Sequence, residues 1–137
     1  MNYNHEPIVR AYQAMDANLA VEKEILKLDA EILKNVPGRY QLSQNPSCYC
    51  STWRCSTSLI IYPQPKEEQM PAMCTGLMRY FDQKFKSWER DDEKGWVKET
   101  DKYGSRWSRA FTVNPEGWDG GDIKMSVLIF DKIEKDD

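Results

Sequence analysis

The segment from about Pro7 to Lys34 constrains the fold most, because its apolar residues keep a helical period throughout. Ile8, Tyr12, Met15, Leu19, Leu26 and Leu33 recur at spacings of three, four or seven, and Ile25, Leu28 and Ile32 widen the stripe. Pro7 suits a first helical turn, and Pro37-Gly38 is a firm stop. At 1.5 Å per residue a helix over about 7–35 runs roughly 40 Å, longer than one small domain needs to cover a sheet. Either it kinks near Asp16-Ala17-Asn18, or its far end packs against another copy; the plain reading is one long helix lying across its own sheet. Leu19, Leu26 and Leu33 are the expected oligomer interface.

The rest of the chain is read as β-rich. In the β region at 39–62, Tyr40-Gln41-Leu42 is a short run, Asn45-Pro46 a turn, and Cys48 to Tyr62 a long strand or bent pair. A second helix is expected over about 71–89, opened by Pro71 and carrying Met73, Cys74, Leu77, Met78, Phe81, Phe85 and Trp88 on one stripe. A β-meander over 95–133 follows, with a hairpin loop at Gly104 and a turn-rich loop from Asn114 to Asp122. Its last strand alternates Met125, Val127 and Ile129 against Lys124 and Ser126, while Leu128 and Phe130 interrupt the polar side. Glu134 to Asp137 reads as a short acidic tail. The expected architecture is one α+β domain over 1–137, two helices on an antiparallel sheet of four or five strands, in the order α-β-β-α-β-β-β.

Composition supports a folded core. The chain has 137 residues, enough for one unstapled domain, and aliphatics are sparse, but it holds five Trp, seven Tyr and four Phe. Each aromatic can bury roughly 150–250 Å². A net charge of −3 supplies no field for attracting nucleic acid, so double-stranded DNA is not an expected partner. No apolar run reaches the roughly 18–20 residues of a membrane span, and Met1 to Pro7 has no secretory pattern. A cytoplasmic location with reduced thiols is expected.

Three of the four cysteines fall in Ser47 to Ser58, SCYCSTWRCSTS. On a regular strand Cys48 and Cys50 share a face about 6.6 Å apart, whereas zinc holds two thiolates about 3.8 Å apart. Cys55, at odd offsets from both, faces the other way. Cys50, Cys55 and Cys74 are weak metal candidates, a disulfide is the other alternative, and small buried thiols are the plain reading. No cofactor is expected.

Catalytic groupings are missing from the pattern. His5 is the single histidine, near a terminus, and neither a G-x-x-x-x-G-K nor a G-x-G-x-x-G loop occurs. The most suggestive cluster is Tyr103 to Phe111, which interleaves Arg106 and Arg109 with Tyr103 and Trp107, while Arg54 follows Trp53 on the earlier strand. Arginine forks clamp phosphates and aromatic faces stack on bases. The expected function is therefore a small acidic, non-enzymatic binding or inhibitor protein acting by protein–protein contact, with itself or another chain. Its size suits a phage or mobile-element accessory protein. The alternative is a binder that sequesters a nucleotide-like anion through Arg106, Trp107, Arg109, Arg54 and Tyr103.

Overall fold

The computed structural model describes residues 6–49, 52–90, 93–120 and 122–133, with backbone alone at 6–8, 10–11, 45–49 and 52–55. Helix α1 spans Glu6–Glu31 and runs through Asp16-Ala17-Asn18 without interruption. It closes through Ile32 N–H on the Leu28 carbonyl (2.8 Å), and a 3-10 turn, Leu33–Asn35, follows. Ala14, Ala17, Val21, Ile25 and Leu28 form its buried face. That face lies on two strands, β1 (Gly38–Tyr49) and β2 (Thr52–Pro63). Gln44 of β1 fastens the helix by donating its side-chain amide to the Asn18 carbonyl, 2.7 Å away.

β1 and β2 are one long antiparallel hairpin, in register from Gly38↔Pro63 to Tyr49↔Thr52. This corrects two expectations. Asn45-Pro46 is no turn but mid-strand, opposite Ser56 and Cys55, and the reversal falls between Tyr49 and Thr52. A proline is tolerated there because β1 is an edge strand, with one row of backbone groups outside any ladder. The parity argument for the cysteines assumed one continuous strand. Across the hairpin Cys48 pairs with Trp53 and Cys55 with Pro46, so odd and even offsets no longer separate faces.

Helix α2 covers Met70–Lys84 and buries Met70, Cys74, Leu77 and Phe81. It stops short of the expected position 89. Phe85 is extended (φ −123°, ψ 154°), although its N–H still bonds the Phe81 carbonyl at 3.0 Å. Lys86–Ser87 then form a short strand, β3, opposite Thr112 and Phe111, and Trp88 N–H bonds the Ala110 carbonyl (3.0 Å). The helical spacing of Phe81 and Phe85 survives because both rings pack around Phe111, with centroids 6.4 and 6.1 Å from it.

The remaining strands are β4 (Val97–Asp101), β5 (Gly104–Val113) and β6 (Ile123–Phe130). The sheet order is β1-β2-β6-β5-β3, and β4 pairs with the other half of the same β5 edge. The protein is thus α+β, with two helices and a mixed six-strand sheet. One pair departs from the antiparallel expectation: β6 lies parallel to β2, from Thr57↔Met125 to Ile61↔Ile129. Such a pair needs a long crossover, which α2 with β3 to β5 provides. Central β6 suits its place because it has bulky apolar residues on both faces, Ile123, Met125, Val127 and Ile129 on one and Leu128 and Phe130 on the other. Both helices contribute to the core over the first of these faces. Neither covers the second.

Candidate binding surfaces

The register of β5 decides what becomes of the arginine–aromatic cluster. Trp107, Arg109 and Phe111 stand opposite Ile129, Val127 and Met125, on the helix side of the sheet. Arg106 and Ser108 stand opposite Phe130 and Leu128, on the open side. The two arginines of the expected site therefore sit on opposite faces and do not converge.

Each is already held. Arg109 donates to Asp82 Oδ1 at 2.9 Å and to the Ser87 hydroxyl, tying β5 to the end of α2 and to β3. The Trp96 indole N–H donates to the same Asp82 oxygen (2.8 Å). Arg106 pairs with Asp101 (2.8 Å) and Glu99 (3.1 Å), both on the neighbouring β4. That hydrogen bond, helped by the Tyr103 backbone N–H, holds the Asp101 carboxyl below its ordinary value. Trp107 belongs to a third place, an open hollow of about 810 Å³ lined by Met70, Cys74, Met78, Lys98 and Asp131. Lys98 bridges its mouth, 3.4 Å from Asp131 and 5.5 Å over the Trp107 ring. Tyr103 is exposed at the β4–β5 turn, and the side chain of Arg54 lies outside the described residues.

The open face carries a feature that the sequence reading missed. Arg39, Tyr62, Phe130 and Arg106 form one row across β1, β2, β6 and β5, set by Arg39↔Tyr62, by the parallel register of β2 and β6, and by Arg106↔Phe130. The two rings stack at 4.9 Å with planes 17° apart. Arg39 covers the outer side of Tyr62 at 4.0 Å, and Arg106 lies 5.7 Å from the Phe130 centroid. Rings in such a row have both faces occupied, so a base would have to displace a guanidinium before stacking. The signal available in the sequence was Phe130 breaking the polar alternation of the last strand. Beside the row lies an open cleft of about 760 Å³, lined by Ile60, Tyr62, Leu128, Phe130 and Tyr103.

The second surface is the outer side of α1. Val9, Tyr12, Met15, Leu19 and Leu26 are each 50–64% exposed. At about 100° per residue, Tyr12, Met15, Leu19 and Leu26 fall within some 60° of one another and almost diametrically opposite Val21 and Leu28. The helix is thus apolar on two opposite sides. Of the expected interface residues, Leu19 and Leu26 lie on the outer side, but Leu33 does not. It is buried in the chain's own core, in the 3-10 turn that follows the helix.

Cys74 packs against Met70, its sulfur 3.7 Å from the thioether, and burial pushes its thiol up to about 11. A thiol so placed is a poor nucleophile. In an iodoacetamide pulse at pH 8, Cys74 is expected to stay unmodified in the folded protein and to label fully in denaturant. Peptide mass mapping reads both states, and rapid native labelling would contradict the packing. Among the described residues no three His, Cys, Asp or Glu side chains converge as a metal ion requires. The other metal candidates, Cys50 and the side chain of Cys55, lie outside the described residues. No described helix is long and apolar enough to cross a membrane.

Comparison of the chain with protein-family models, with curated proteins and with solved structures finds no match.

Proposed function

We propose that this chain is a non-enzymatic binding protein that works through protein–protein contact, with the outer side of α1 as its docking surface. One observation carries the reading. Four large apolar side chains, Tyr12, Met15, Leu19 and Leu26, are exposed along one side of a helix whose opposite side is used by the core. Single exposed apolar residues are ordinary on a protein surface, whereas four large ones aligned on one side of a helix mark a contact site. A helix with two apolar sides fits between two layers, and the chain supplies one of them. The alternative, a nucleotide-like anion held by the arginine–tryptophan cluster, draws no support from the geometry. Arg106 and Arg109 lie on opposite faces and are neutralised by Asp101, Glu99 and Asp82.

A photo-crosslinking residue at position 19 tests the reading, with one at the exposed Glu68, away from the stripe, as the control. In the cells that make the protein, position 19 is expected to give a discrete crosslinked product and position 68 none. The reading fails if position 19 yields nothing above the control while the protein is folded and abundant.

A further inference from the structure

The stripe on α1 carries charges whose order says what it docks against. Asp16 and Lys23 are exposed, seven residues apart, and flank the stripe on the same side. Tyr12 and Leu26 lie seven residues before and after Leu19, and Asp16 and Lys23 lie three before and four after it. One two-fold axis near Leu19 therefore relates both pairs. When two helices pack antiparallel about such an axis, each flank faces the same flank of its mate. Asp16 then meets Lys23 of the partner subunit on both sides of the axis, Tyr12 packs on Leu26, and the two Leu19 side chains meet at the centre. In a parallel pair this flank faces the other one, where Glu22 can answer Lys23 but Ala11 and Asn18 leave Asp16 with no cation, so only the antiparallel pair matches both charges.

From this self-complementarity we propose that the occupant of the stripe is a second copy of this chain, bound through an isologous antiparallel α1–α1 contact. The inference rests on the reading of the outer side of α1 as a docking surface and names its partner. The matched stripe from Tyr12 to Leu26 is about 21 Å long. An isologous contact closes at two subunits, so a discrete dimer is expected, with no open chain of molecules. The net charge of −3 opposes pairing only weakly at physiological salt.

Native mass spectrometry and light scattering on wild type, Leu26→Glu, Asp16→Lys, Lys23→Asp and the double swap test it. Wild type is expected at twice the chain mass. Leu26→Glu is expected as a monomer with an unchanged circular dichroism spectrum, because that side chain points away from the core. Asp16→Lys or Lys23→Asp alone each turns two attractive pairs repulsive and should raise the dissociation constant about tenfold. The double swap should return it to within about threefold of wild type. A dimer indifferent to both single reversals overturns the antiparallel pairing. The crosslink at position 19 separates this failure from that of the parent reading. A product of twice the chain mass supports the second copy. A monomeric wild type with a product of another mass overturns the second copy and leaves the docking surface standing, and no product at all removes both.

Discussion

Phe81→Ala is expected to lower the free energy of unfolding by about 3–5 kcal/mol, the largest effect of any single truncation in this core. Phe81 is fully buried and stands where the helices and the sheet meet. Its ring lies 5.5 Å edge-on from Tyr80, 6.3 Å from Phe85 and 6.4 Å from Phe111. Removing it leaves three aromatic neighbours around a void that α2 cannot close without leaving Leu77 and Cys74. Domains of this size hold only about 5–15 kcal/mol in total, so the variant should lose a large fraction of its stability. Urea unfolding followed by tryptophan fluorescence reads the change directly, and a loss under about 1 kcal/mol would mean that Phe81 is not packed as described.

Gly38→Ala should be nearly as damaging for a different reason. Gly38 has φ +123°, a region that residues with a Cβ rarely adopt. A Cβ there would sit 2.1 Å from the Tyr62 carbonyl oxygen and 2.8 Å from the Gln64 nitrogen, both backbone atoms that cannot swing aside. This is where the chain leaves the 3-10 turn after α1 and starts the hairpin, next to the bond from Gln64 N–H to the Pro37 carbonyl (2.6 Å). Strained backbone and displaced strand together should cost about 3 kcal/mol, or roughly 10 °C in Tm. Gly104→Ala is the internal comparison. Its φ is +128°, but the nearest atom to an added Cβ is Lys132 Cδ at 3.5 Å, so only the backbone term remains. If calorimetry finds the two variants equally destabilised, the close approach at Gly38 is not what demands a glycine there.

The sequence made the elements legible where period and punctuation agreed. Helix α1, the hairpin β4–β5 and the alternation of β6 all follow from residues acting within one element. What was not legible depends on contacts between distant segments. Phe85 and Trp88 keep helical spacing, yet the chain after Lys84 turns to pair with β5; the Phe85 ring joins the cluster around Phe111, while Trp88 sits beneath Lys124, 5.7 Å from its ammonium. Pro46 looks like a turn until the strand that bears it is known to be an edge. The parallel pairing of β2 and β6 has no local signature at all, since nothing in either strand states which neighbour it will find.

The candidate surfaces divide along the same line. Alternation along β5 separates Arg106 from Arg109, but the carboxylates that hold them come from β4 and from α2. Leu26 and Leu33 share a period, and only the end of the helix at Glu31 sends one outward and the other into the core. The row Arg39-Tyr62-Phe130-Arg106 draws on four strands, so it exists only once register is set.

The position of β6 also bears on how the chain is made. It is the last of the six strands to leave the ribosome and yet stands between β2 and β5, with a neighbour on either side. Until it emerges, the hairpin β1–β2 and the pair β4–β5 have no strand to join them, and the core lacks Met125, Val127 and Ile129, all fully buried. Nascent chains ending before Ile123 should therefore be soft and protease-sensitive, and the domain should harden in a single late step. Such a polypeptide gains its shape only after most of its synthesis is over.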